Sequence, residues 1–274
     1  MKELLRFENV SYHYHHHDGR QALDHLFVSL KQGERIAVLG SNGAGKSTFF
    51  RLANGVFVPS EGTIFLEGLP VGSKEKHRMQ LRHKVGLVFQ DPDVQLLAGT
   101  VEEEISFGPM NLGLSPEEVR RRVENAMESL DLTRYRSRGP QYLSGGEKRR
   151  VVIADVLAME PAIMLLDEPS SNLDPAGRSL LEKTLEQLSR EGMTLAIATH
   201  DVDFAWRWAD RILVFHEGRL ERDGAPQEVF ADKALLDRCG LEQPLLWQVA
   251  QVLGVPAPRY PEDFSRKNFQ KLRL

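Results

Sequence analysis

Short, fully apolar runs separated by longer mixed segments set the hydrophobic pattern of the chain. Residues 36–39, 85–89, 163–166, 194–199 and 212–215 are too short for buried helices and lack polar alternate positions, so each reads as a strand covered on both faces. Helical patterns occupy the intervals at residues 74–81, 148–159, 176–190 and 202–209. Strands alternating with helices predict an α/β domain on a mostly parallel sheet. Ahead of it, residues 4–14 read as a strand with Leu5, Phe7, Val10 and Tyr12 apolar. His17-Asp18-Gly19 carries D-G turn chemistry, so residues 22–30 read as the returning strand of an antiparallel hairpin. Gln32-Gly33-Glu34 turns into the strand at 36–39, and residues 63–66 form another short strand.

The middle changes character. Residues 100–107 and 115–130 are acidic or mixed-charge helical patterns, the second opening with a Ser115–Glu118 capping box and Pro116 at the first helical position. They predict a helical subdomain, at about residues 91–145, inserted into the α/β core. Short amphipathic helices and a basic tail follow residue 224, with Pro256, Pro258 and Pro261 breaking any long helix. The segment 235–253 reads as packing on the core or as a second dimer contact. The expected division is a main domain over 4–230 and an extension over 231–274.

Chemistry concentrates where the apolar runs end. The strand at 36–39 feeds Gly40-Ser41-Asn42-Gly43-Ala44-Gly45-Lys46-Ser47-Thr48 and then a helix start, the P-loop arrangement G-x-x-x-x-G-K-[ST]. Gly43 and Gly45 allow turns closed to residues with a Cβ, so backbone N–H groups can face phosphate oxygens. The helix dipole adds roughly half a positive charge at the same place. Lys46 can reach the β and γ phosphates, and the Ser47 hydroxyl can ligate Mg²⁺.

Asp167 and Glu168 close the run 163–166: Asp167 suits Mg²⁺, and Glu168 suits polarising a water for attack on the γ-phosphate. Gln90 ends the run 85–89, where its amide can touch Mg²⁺ or the attacking water, and His200 ends the run 194–199, where it can bond the γ-phosphate. Ligands of such sheets bind at strand carboxyl ends. Ser144-Gly145-Gly146-Glu147 precedes the helix at 148–159 and makes a second anion-binding helix start. With one P-loop and two such starts, the second is expected to complete the site of another subunit.

Composition narrows the partners. The 274 residues carry 35 basic and 39 acidic side chains for a net charge of −4, which gives no general affinity for nucleic acid. Cys239 is the lone cysteine, which excludes an internal disulfide and fits a reducing cytoplasm. Charges interrupt residues 1–8, unlike a signal peptide, and no apolar run approaches the ~20 residues of a membrane span. Membrane contact is therefore expected only through partners.

Taken in order, Gly40 to Thr48, the Gln90 loop, Leu143-Ser144-Gly145-Gly146-Glu147, the run into Asp167-Glu168, Ser171-Asn172-Leu173-Asp174 and His200 resemble the motifs of an ABC transporter ATPase subunit. Stretches such as Val88-Phe89-Gln90-Asp91-Pro92-Asp93, Phe107-Gly108-Pro109-Met110-Asn111 and the LSGGEKRRV of residues 143–151 are similar to the energy-coupling factor branch, the ATPases of vitamin and of cobalt or nickel uptake. The resemblance, strongest to the cobalt/nickel importer ATPases, covers about residues 4–230. It implies an ABC ATPase fold, ATP and Mg²⁺ as cofactors, and Tyr14 stacking on adenine, with Tyr12 as the alternative. It also implies a contact from Asp174 to the partner's nucleotide. The partners implied are a second copy or a paralogue, a transmembrane coupling (T) protein and a substrate-binding (S) membrane protein, on the cytoplasmic face of the membrane. At Asp155 the family pattern implies a small residue, and the departure has no account from sequence.

His13, His15, His16 and His17 fit either a metal site, since imidazole suits cobalt and nickel, or a polar hairpin tip. With no carboxylate framework the hairpin tip is the simpler reading. Chromosome-maintenance ATPases share the motifs but need a coiled-coil insertion, and residues 49–142 are too short and lack sustained heptads. Translation-associated relatives normally carry two such domains, and a non-catalytic binding module would lack Glu168.

Overall fold

The computed structural model describes residues 1–14, 21–171 and 173–264. In chain order the elements are β1 (Glu3–His13), β2 (Gln21–Lys31), β3 (Arg35–Leu39), α1 (Lys46–Ala53), β4 (Glu61–Leu66), β5 (Leu69–Pro70), α2 (Glu75–Lys84) and β6 (Val85–Val88). There follow α3 (Val101–Asn111), α4 (Pro116–Ser129), α5 (Gly145–Ala158), β7 (Ile163–Asp167), α6 (Pro175–Arg190), β8 (Thr194–Ala198), α7 (Val202–Trp208), β9 (Arg211–His216) and β10 (Arg219–Gly224). The chain then runs through α8 (Pro226–Ala231), α9 (Lys233–Cys239) and α10 (Leu245–Leu253).

The apolar runs become the central strands of a six-stranded sheet in the order β10-β9-β3-β8-β7-β6. It is parallel from β9 to β6, and only β10 joins antiparallel. Alternate residues of each parallel strand enter different cores, which is why their interior positions are apolar and polar residues such as Arg35, Thr194 and Arg211 fall only at strand ends. Ala37, Leu39, Met164, Leu166, Leu195 and Ile197 pack with buried residues of α3 to α9. Ile36, Val38, Ile163, Leu165, Ala196 and Ala198 pack instead with α1 and with β1, β2 and β4. That second face is covered by the antiparallel sheet β2-β1-β4-β5, in which β1 pairs with both β2 and β4. The hairpin strands fall where the sequence places them, and the D-G turn lies outside the described residues.

Helices α3 and α4 pack on each other and on α5, forming the inserted helical layer. Thr100 caps α3 and Ser115 caps α4. Boundaries differ from the sequence reading at several places. Helix α3 continues through Pro109 to Asn111, beyond residue 107. Helix α5 begins at Gly145 rather than at 148, because the Ser144–Glu147 capping box compensates for glycines in its first turn. The segment 235–253 is two helices, since α9 ends in a left-handed cap at Gly240 and Pro244 intervenes before α10. Strand β10 escapes the apolar pattern altogether: it is an edge strand, with Arg219, Arg222 and Asp223 exposed.

The extension packs on the core. Leu235, Leu236 and Cys239 are buried in the helix-side cluster. Trp206 of α7 donates from Nε1 to the Pro258 carbonyl (2.7 Å), and Arg259 donates to the carbonyls of Trp206 (2.8 Å) and Ala209 (2.6 Å) at the end of α7. No helix among the described residues is long and apolar enough to cross a membrane.

Candidate functional site

Parallel pairing brings the chemical residues to one edge. Val38 of β3 lies beside Ala198 of β8, and Ala198 beside Asp167 of β7; Leu166 of β7 lies beside Val88 of β6. The residues that follow these strands therefore meet at one level, outside the strand carboxyl ends. There a cleft of about 770 Å³ is lined by Tyr14, Gly40, Ser41, Asn42, Gly43, Ala44, Gly45, Lys46, Ser47, Thr48, Gln90, Asp167, Glu168 and His200.

Two glycines make the loop possible. A Cβ on Gly40 (φ 149°) would stand 2.3 Å from the Phe215 carbonyl oxygen of β9. One on Gly45 (φ 108°) would stand 2.8 Å from the Ala22 carbonyl of β2, so the loop is wedged between the two sheets. Gly45 caps α1 without any side-chain hydrogen bond, leaving the helix start open to an anion. Lys46 is 7% exposed, and its Nζ donates to the carbonyls of Gly40 (2.5 Å) and Ser41 (3.2 Å), which centres the ammonium in the loop. Burial pulls its pKa below the usual lysine value, while Glu168 and Asp167 oppose the shift.

Glu168 sits just past β7 with a left-handed backbone (φ 47°), strained for a residue with a Cβ. Its amide holds that turn by donating to the Ala198 carbonyl (2.9 Å). The side chain is buried, and Oε2 stands 2.9 Å from Nδ1 of the exposed His200 without hydrogen-bond alignment. Glu168 lines the cleft, so its carboxylate is suited to accept from a water there. Ser47, Gln90 and Asp167 bring hydroxyl, amide and carboxylate oxygens to the same cleft, a hard-oxygen set that fits Mg²⁺.

Tyr14 also faces the cleft, its hydroxyl 3.0 Å from Thr48 Oγ1 and its ring edge-on to Tyr12 and Phe57. Tyr12 stacks on Phe57 at 4.9 Å and does not line the cleft. Sequence reasoning passed over Arg51, Val202, Gly240, Leu241 and Glu242, which line it as well. Gly240 is legible as a helix stop, but its place beside the P-loop comes from tertiary packing. Of the histidine patch, His15 to His17 lie outside the described residues, and no group of three or more His, Cys, Asp or Glu side chains that could hold a metal occurs among the described ones.

Ser144, Gly145, Gly146, Glu147 and Asp174 line a different hollow, of about 460 Å³. There Ser144 Oγ accepts from the Glu147 amide (3.4 Å), and Glu147 Oε2 accepts from the Ser144 amide (2.7 Å). Tyr135 donates to the other Glu147 oxygen. The Tyr135 hydrogen bond, followed by that of the Ser144 amide, lowers the Glu147 pKa to about 2, so the carboxylate stays charged while bonded to its own helix start. Asp174 caps α6 by accepting from the Gly177 amide (2.7 Å).

Residues 23–171 match the family model described as ABC transporter. An energy-coupling factor transporter ATP-binding protein EcfA2 of Methanospirillum hungatei is 41% identical over 274 residues, 100% of this chain and 68% of the relative. The EcfA protein of Methanosphaera stadtmanae is 43% identical over 253 residues, covering 92% of this chain and 90% of the relative. Among solved structures, the cbiO1 protein of Clostridium perfringens, described as part of the ABC transporter complex cbiONQ, superposes with a TM-score of 0.77 at 39% identity, covering 93% of this chain and 100% of that one. A dimeric, post-hydrolysis ATP-binding cassette bound to ADP and Pi gives 0.73 at 29% identity, over 81% of this chain and 99% of that one. The chain belongs to the ATP-binding subunits of ABC transporters. Within that class it is an ATPase of the energy-coupling factor type.

Proposed function

We propose that two copies of the chain, or one copy and a paralogue, pair head to tail around two ATP molecules and drive a micronutrient importer. Each ATP lies between the P-loop cleft of one subunit and the Ser144–Glu147 hollow of the other. In the cleft, loop amides and Lys46 bind the β and γ phosphates, and Tyr14 stacks on the adenine. Mg²⁺, held by Ser47, Asp167 and Gln90, neutralises phosphate charge when bound. Glu168 orients the attacking water and takes its proton, while His200, beside it, bonds the γ-phosphate. The partner contributes Ser144, the amides of Gly145 and Gly146, and the neighbourhood of Glu147 and Asp174.

The observation that carries this reading is the separation of the two phosphate-binding helix starts into different hollows of one chain. Head-to-tail pairing would bring each hollow of one copy to the other hollow of its partner. Sedimentation of the Glu168→Gln chain with saturating ATP tests it: a dimer is expected, and a monomer would overturn it.

Through the Gln90 loop and α3, closure passes to a transmembrane coupling protein joined to a substrate-binding membrane protein, with this chain peripheral on the cytoplasmic face. The resemblance to the cobalt and nickel importer ATPases supports a divalent metal as cargo. Purifying the complex from membranes and assaying bound metal tests that: cobalt or nickel is expected, and a bound vitamin would replace the assignment.

A further inference from the structure

Arg149 lies on α5, a little more than one turn past the Ser144 cap, and is only 3% exposed. It helps line the Ser144 hollow, and its guanidinium reaches across to the loop that carries Gln90 into the other site. Nη1 donates to the Phe89 carbonyl (2.6 Å) and Nη2 to the Gln90 carbonyl, while Nε is buried without a partner. Asp91 and Asp167 lie near enough to act on its charge, though less than burial does, and neither pairs with it. Burying a guanidinium against two carbonyls, with no carboxylate mate, is a costly way to gain stability. What the arrangement does provide is geometry, because the planar fork fixes two consecutive carbonyls at once.

The surrounding contacts stiffen the same connection. Lys148 Nζ pairs with Asp93 (2.6 Å), and Asp91 accepts from the Asp93 amide (2.9 Å). Gln95 accepts from the Phe89 amide (3.1 Å), and buried Glu104 of α3 accepts from the amides of Leu97 (2.7 Å) and Ala98 (2.6 Å). The Gln90 loop is thus fastened to α5 and α3 along its length, with Arg149 the buried link nearest Gln90.

We infer that Arg149 is a positioning residue that locks the Gln90 backbone, and so the place from which its side chain enters one nucleotide site, to the helix start that meets the partner's nucleotide. A displacement of Gln90 then moves Ser144, so the two sites of a pair sense each other through the contacts of this loop with α5, of which the guanidinium is the buried one. The inference rests on the shared-site reading above.

Arg149→Gln and Arg149→Lys in the full chain test it, through ATP affinity at concentrations too low for pairing, the ATP dependence of hydrolysis, and thermal melting. Wild-type hydrolysis is expected to rise more steeply than a hyperbola. In Arg149→Gln, kcat should fall roughly tenfold and the curve become hyperbolic, with ATP affinity unchanged within about twofold. Lysine keeps the charge but cannot fork, so Arg149→Lys should fold normally and remain non-cooperative; if Arg149→Gln fails to fold, Arg149→Lys decides by the same readings. Wild-type rate and steepness in both variants would overturn the inference. So would a parallel loss of affinity, rate and melting temperature that lysine fully restores, since that marks a merely structural role. Ser144→Arg in parallel separates the two claims: if it is inactive while both Arg149 variants behave as wild type, the shared site stands and the link falls; if it is fully active, the shared site itself falls.

Discussion

The two helix starts proposed to face phosphate are built in opposite ways. Helix α1 begins at a left-handed glycine with no capping side chain, behind a loop wedged between two sheets and around a buried lysine. Helix α5 begins at an extended serine inside a complete capping box, with Ser144 and Gly145 exposed and Glu147 bonded back onto its own helix. The first is unsatisfied and enclosed, which suits a ligand that stays through a cycle. The second is self-satisfied and exposed, which suits a surface that must survive in water between encounters. Openness to ligand and openness to solvent are thus divided between the two helix starts.

The largest break in that contrast comes from Ser144→Arg. Bulk on the exposed start should abolish hydrolysis while the separate chain still binds ATP; an active enzyme in a coupled phosphate-release assay would refute the shared site. On the enclosed side, Glu168→Gln should lower kcat by roughly 10²–10⁴, the range for a lost general base, with ATP still bound. Single-turnover hydrolysis measures this, and an unchanged rate would remove Glu168 from its role.

A smaller effect tests the far end of α5. Burial, then the charge of Glu104, raises the Asp155 pKa to about 7, with a Gln95 hydrogen bond opposing. The folded chain therefore holds a proton that the unfolded chain has already released, and stability falls as pH rises from about 4 to about 7. Asp155→Asn should match wild type near pH 4 and exceed it at pH 8 by on the order of 1–2 kcal/mol in denaturant melts. A constant difference across that range would exclude the buried acid as cause. The smallest change belongs to Tyr135→Phe, which removes a donor to Glu147. Because the Glu147 pKa is depressed, its contribution is present above the ordinary carboxylate range and is lost as pH falls toward 2. The variant should lose about 1 kcal/mol near neutral pH, discounted for solvent, and nothing at the acid end of the same melts.

Motif chemistry is legible because it is local. Gly40 to Thr48, Asp167-Glu168, Gln90 and His200 each follow an apolar run, and parallel pairing needs only those runs to bring them to one cleft. Arg149 reads from sequence as one more cation in a basic stretch; its burial follows from how α5 lies against the Gln90 loop. Strand β10 is hidden because an edge strand with charged side chains has no second face to mark with apolar residues. The split of residues 235–253 turns on backbone at Gly240 and Pro244, against an apolar pattern that runs through both helices.

Gly240, Leu241 and Glu242 stand in the wall of the P-loop cleft, and just beyond them the Leu245 amide donates to Asp203 of α7 (2.7 Å). A fragment cut after residue 230 would keep every recognisable signature of its class and yet lose part of the nucleotide's enclosure. It would also leave the helix that follows His200 without its carbonyl cap from Arg259. The smallest piece that looks like an ATPase is therefore shorter than the smallest piece built to work as one.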